Sequence, residues 1–249
     1  MSDFNRGYAP PTPTAPADMA VDAGLRSFML GVYNKMMLGL VLAAGIAWTV
    51  GNIRPISELL YNYLGDRVTG LTPLGWAVAF APLGVLLISM FAMRNPSPRT
   101  AGILYWTVVS LIGAGLGVLS LVYTGTSIFS TFLITAAAFG GLSLLGYTTK
   151  KDLTGFGSFL IIGLVGLVIA SLVNMFLQNS VMGFLISVVG VLIFAGLIAF
   201  DTQRLKMSYY QMGGDQAAMG VATNYGALSL YLNFINLFQF LLSIFGNRR

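Results

Sequence analysis

Apolar runs of about 20 residues dominate the chain, each long enough to cross the hydrocarbon of a bilayer as a helix. They cover Met29–Val50, Leu74–Met93, Ile103–Tyr123, Ile128–Tyr147, Phe156–Phe176, Val181–Phe200 and Tyr225–Phe245. The last run differs from the others. At about 100° per residue, Tyr225, Ser229, Asn233, Asn236, Gln239 and Ser243 share roughly one third of the circumference. Leu230, Tyr231, Phe234 and Leu241 occupy the opposite side. Amides turned to lipid would lose their hydrogen-bond partners, at about 2 kcal/mol or more each. The pattern therefore predicts a final helix that turns its stripe toward other helices, either to tie them together or to line a polar path.

The segments between the runs are short and carry the charges. MRNPSPR ends the second run, where two prolines stop a helix. The third run contains Gly113 and Gly117, a spacing that lets two helix backbones approach closely. Between the first and second runs, the semi-apolar patch Leu59–Leu64 is expected to lie along the interface as a short helix. Residues 1–24, with Pro10, Pro11, Pro13 and Pro16, are expected to form a disordered tail, and residues 25–249 the membrane domain.

Composition sharpens the picture. Of 249 residues, 56% are hydrophobic and 8% charged, and the mean hydropathy is +0.81. So few charges cannot cover a water-exposed surface, and the fold class is an all-α polytopic membrane protein with seven transmembrane helices. The net charge of +5 is scattered over short loops and does not point to nucleic acid. There is no cysteine or histidine, so thiol chemistry, His-based metal sites and imidazole switches are excluded. With the amino terminus inside, Arg6, Arg26, Lys35, Arg94, Arg99, Lys150, Lys151, Arg204 and Lys206 fall on the inner side. Arg54, Arg67, Arg248 and Arg249 fall outside. This bias places the amino terminus in the cytoplasm. The two terminal arginines dissent, which leaves a re-entrant final segment as the alternative to a full crossing.

Taken together, SFMLGVYNKMMLGL, MRNP, AAAFGGLSLLGYTTKKDL, FDTQRL and ALSLYLNFINLF resemble the Bax inhibitor-1 family. The resemblance spans about Ser27 to Phe245 and implies a seven-helix bundle with the last helix surrounded by the other six. It also implies a calcium leak controlled by pH. Eukaryotic relatives suppress cell death, and some bacterial ones associate with a membrane-bound ATP-dependent protease. In the family, an acid of the FDTQ-like motif pairs with a second acid in the last helix as a proton-sensitive latch. Asp201 matches the first, but the second position is Asn233. An amide cannot ionise, so the shared proton of two facing carboxylates is missing here.

Asp201 is the one acid placed to sit within the membrane. It reads either as an interfacial residue paired with Arg204 one turn on, or as the latch itself. Arg204 and Arg94 are the candidate counter-charges. Ser229, Asn236, Gln239 and Ser243 are the candidate pore or stripe residues. Calcium prefers six to eight oxygens, so Asp201 with amides offers at most a weak transit site. TTKKDL reads as a topology signal in preference to a phosphate-binding turn. No enzyme constellation and no cofactor is expected. The expected function is a pH-sensitive leak of calcium or another cation in a bacterial cytoplasmic membrane. The alternatives are modulation of a membrane protease, or proton-coupled transport of a small solute. Asp201 can meet Asn233 only if the sixth helix tilts or continues past Phe200.

Overall fold

A computed structural model of the chain describes residues 15–65 and 67–248. Among the described residues, seven helices are long and apolar enough to cross a membrane. They are α1 (Ala15–Asn52), α3 (Pro73–Ala92), α4 (Pro98–Val122), α5 (Gly125–Thr148), α6 (Thr154–Leu177), α7 (Ser180–Gln211) and α8 (Gln216–Phe245). Between α1 and α3 lie the short helix α2 (Arg54–Leu60) and a hairpin of β1 (Tyr61–Leu64) and β2 (Arg67–Leu71).

The helix starts follow from local chemistry. Thr72 and Ser97 each accept a hydrogen bond from a backbone N–H of the first turn, and Pro73 and Pro98 follow them. Proline suits that position because its missing N–H has no helical partner there anyway. Thr124, Asn179 and Asp215 cap α5, α7 and α8 in the same way. The turn from α7 to α8 uses Gly213 (φ 56°) and Gly214 (φ 89°), a left-handed backbone that favours glycine.

The last helix is central. It is the most buried of the seven and packs against α1, α4, α5 and α7. Its extensive contacts are with these four of the other six. α3 packs on α4 and α6 on α7, forming an outer layer whose side chains largely face lipid. On the α5 side, Phe234 stacks edge-on with Phe132 and Phe139, at 5.4 and 5.7 Å between ring centres. On the α4 side, Tyr231 meets Tyr105, and both are fully buried.

Small residues set the helix spacing. A Cβ on Gly113 would come within 2.8 Å of Ala43 Cα, and one on Gly117 within 2.5 Å of Val50. The expected close approach is therefore between α4 and α1. Gly146 performs the same role between α5 and α7, where a Cβ would overlap the carbonyl oxygen of Ala199.

Several expectations are revised. α1 is already helical from Ala15, so the disordered tail does not extend to residue 24; residues 1–14 lie outside the described residues. The stretch after Pro16 is rich in alanine, and extending a formed helix costs little. The connection between α1 and α3 holds its helix earlier than expected, and Tyr61–Leu64 is a strand, with Tyr61 opposite Leu71 and Tyr63 opposite Val68. Tyrosines alternating with polar residues before a Gly65 turn (φ 65°) suit a hairpin better than a surface helix. The hairpin is fastened by Arg54, which lies 3.9 Å from the Tyr63 ring centre and bonds Glu58 and the Gly65 carbonyl.

The re-entrant alternative for the last segment is excluded. α8 runs unbroken for 30 residues, roughly 45 Å. It ends beside the α4–α5 turn, where Thr124 N–H donates to the Asn247 carbonyl. Arg248 sits 6.0 Å from the Tyr123 ring centre, which gives that dissenting charge a local partner.

Gly146→Ala should lower stability by about 1–3 kcal/mol, since backbone meets backbone and neither helix can yield locally. Gly141→Ala on the same helix meets nothing within 4 Å and should be neutral or slightly stabilising. Thermal unfolding in detergent micelles compares the two. Equal midpoints would show that α5 and α7 are not held at backbone contact.

Candidate functional site

The segment FDTQRLK lies inside α7, which continues eleven residues past Phe200 to Gln211. This continuation resolves the register question. Asp201 and Asn233 face each other across the α7–α8 interface.

The polar side chains of this segment tie α7 to α8, to α5 and to the α5–α6 loop. Asp201 is 5% exposed and is the one buried acid among the described residues. Its Oδ2 accepts from Ser229 Oγ at 2.5 Å and from Asn233 Nδ2 at 2.7 Å, both on α8. Its Oδ1 pairs with Arg204 Nη2 at 2.9 Å, one turn along α7. Thr202 is fully buried and pairs with Ser143 Oγ of α5 at 3.0 Å. Ser143 in turn meets Tyr33 Oη of α1 at 2.5 Å. Gln203 Oε1 accepts from Leu153 N–H and its Nε2 donates to the Lys151 carbonyl, both at 2.8 Å. Lys206 donates to the Tyr147 carbonyl at the end of α5. Leu205 fills the space left by Gly226 on α8.

A carboxylate withdrawn from water needs its lone pairs satisfied, and this one has a guanidinium and two neutral donors. Arg204 is half exposed, so the pair touches solvent through the arginine alone. The interfacial and latch readings of Asp201 thus share one geometry: the Arg204 pair exists, and the carboxylate is nonetheless clasped to α8.

The other expected residues divide. Arg94 is exposed in the α3–α4 loop and makes no ion pair with Asp201, so it is not the counter-charge. Asn236 donates to the Leu232 carbonyl of its own helix. Ser243 accepts from Ser187 of α7 at 3.1 Å. Gln239 is exposed. The stripe is therefore no continuous buried polar path. Ser229 and Asn233 form the clasp, Asn236 bonds its own helix, Ser243 ties α8 to α7, and Gln239 leaves the bundle.

Two features were not anticipated. The Tyr33–Ser143–Thr202 chain links α1, α5 and α7 beside the clasp, and its hydroxyls look ordinary in sequence. In addition, α1 and α5 flank α8 while leaving a cleft of about 710 Å³, which Arg26, Tyr33, Ser143, Tyr147 and Phe234 line together with mostly apolar side chains. A second space of about 370 Å³ continues from Leu40 and Phe132 toward Trp48.

Asn233→Ala should lower stability by about 1–3 kcal/mol, because it removes a donor from a buried carboxylate. Asn236→Ala should cost less, since that amide serves only its own helix. Detergent unfolding midpoints check the order, and a larger loss for Asn236→Ala would contradict the clasp.

Residues 25–249 match the family described as Inhibitor of apoptosis-promoting Bax1. An uncharacterized protein of Caulobacter vibrioides is 64% identical over 249 residues, the full length of both chains. The inner membrane protein YbhL of Escherichia coli K12 is 42% identical over 228 residues, covering 91% of this chain and 94% of its own. An uncharacterized protein of Rickettsia prowazekii is 43% identical over 242 residues, covering 97% and 98%. Match and fold agree with the motifs in α1, α5, α7 and α8, and the chain is a multi-pass membrane protein of the Bax inhibitor-1 family.

Proposed function

We propose that the protein is a pH-sensitive leak pathway for calcium or another cation, gated by the Asp201 clasp, and that it is not an enzyme. The observation that carries this reading is the buried carboxylate of α7 held by two side chains of the central helix α8. Protonation removes the charge that holds Arg204 and one acceptor from the Ser229 and Asn233 pair. The α7–α8 contact then loosens, and the cleft between α1 and α5 offers space for the helices to move. A charged Asp201 is the closed form, and flux rises as pH falls. In the closed form donors fill both carboxylate oxygens, so a cation meets Asp201 only after Arg204 has swung away. Such a site suits weak transit and not storage.

The membrane is proposed to be a bacterial cytoplasmic membrane, as for YbhL, which is named an inner membrane protein. Arg94, Arg99, Lys150, Lys151, Arg204 and Lys206 gather at one end of the bundle, which is assigned to the cytoplasm with the amino terminus. Reporter fusions after Arg249 should report outside, and fusions before Arg26 inside. The reverse result would invert the gate.

Purified protein in liposomes tests the leak. Asp201→Asn should give a high flux that no longer follows pH. Asn233→Asp should move the midpoint upward, because one of two facing acids keeps its proton to higher pH. A wild-type pH profile in Asp201→Asn would remove Asp201 from the gate. Silent liposomes together with co-purification of a membrane protease would favour an interaction role.

A further inference from the structure

The loop between α5 and α6 lies against the inner extension of α7 and encloses a hollow of about 810 Å³. Its rim carries Lys150, Lys151, Arg204 and Lys206 against a single acid, Asp152. That acid is already engaged: Thr154 N–H donates to its Oδ1 at 2.8 Å. The Thr154 hydroxyl and backbone N–H hold the Asp152 carboxyl below the usual carboxylate range. Lys206 is committed to the end of α5 by its bond to Tyr147, and Arg204 is shared with Asp201. Among the described residues, Lys150 and Lys151 have exposed side chains with no hydrogen-bond or ion-pair partner.

A topology signal requires only positive charge near the membrane. This loop has more. Gln203 grips it at both Lys151 and Leu153, and Lys151 N–H donates to Thr149 Oγ1. The two lysines are thereby presented from a pinned backbone and lose less freedom on binding. The hollow also adjoins apolar surface. Phe200 and the exposed Met207 line it, and Phe156 and Phe159, close by on α6, face outward. A cationic recess opening beside lipid-facing aromatics suits a ligand with a charged head and an apolar tail.

We propose that this hollow holds the phosphate of an anionic phospholipid headgroup, received by Lys150, Lys151 and Arg204. Because one guanidinium serves both sites, a bound phosphate competes with Asp201 for Arg204 and weakens the clasp. This coupling rests on the reading of Asp201 as the latch, whereas the lipid site does not.

The test uses the full-length protein in detergent with phosphatidylglycerol or phosphatidylcholine, followed by native mass spectrometry. Wild type should retain phosphatidylglycerol in preference, and Lys150→Gln/Lys151→Gln should reduce that preference roughly thirtyfold for two lysines. Both side chains are exposed, so unfolding midpoints should match. Equal preference in the double variant overturns the site. Displacement of phosphatidylglycerol by equimolar inorganic phosphate would make the ligand a free anion and overturn the lipid assignment. In liposomes, added phosphatidylglycerol should raise cation flux through wild type and not through the double variant. A rise in both overturns the coupling alone, and absence of any flux overturns the latch reading while the mass-spectrometric result still decides the lipid site.

Discussion

A carboxylate buried between two membrane helices is the constraint around which this bundle is arranged. Asp201 is buried and its ion-pair partner Arg204 is half exposed, so its oxygens need protein donors. Ser229 and Asn233 lie one helical turn apart and can reach the same oxygen only if α8 lies directly against α7. That demand makes α8 the central helix and sets its rotation. Leu230, Tyr231 and Phe234 then face α4 and α5, where they form the aromatic and aliphatic core.

Lipid supplies little hydrophobic force to bring helices together, since tails and side chains are equally apolar. Association instead depends on close packing and on hydrogen bonds. Gly113 and Gly117 against α1, Gly146 against α7 and Gly190 beneath the Phe240 ring provide the first. The Tyr33–Ser143–Thr202 chain and the Ser187–Ser243 pair provide the second. Among the described residues, α3 and α6 have no comparable polar ties to the centre, and they remain at the lipid boundary.

The two ends of the bundle are built differently. At the end that carries the hairpin, the Arg54 ties close it over the small cluster of Val50, Leu60 and Tyr61. At the opposite end, the last turns of α7 and the α5–α6 loop gather basic side chains around a hollow. Arg204 stands where that hollow meets the clasp. One guanidinium therefore borders both.

Much of the architecture was legible along the chain. Run length identified the seven crossings, the prolines of MRNPSPR marked the end of the second, and the stripe on the last run marked α8 as buried. Asp201 stood out because an acid at the end of an apolar run is costly. The hairpin was less legible, because Tyr61–Leu64 combines helix-like apolarity with strand-like alternation. The extension of α7 was hidden for a different reason: DTQRLKMSYYQ is polar, and hydropathy detects lipid contact, not helicity. Only the tertiary structure decided that Arg204 and not Arg94 pairs with Asp201, that Gln239 leaves the bundle, and that Thr202 reaches Tyr33 through Ser143. Sequence by itself determined which residues must leave water and which backbone segments can be helical, since those are local transfer and hydrogen-bonding costs. The choice of partner for each buried polar group is a matter of helix rotation and depth, and these are settled jointly by every helix that packs against α8.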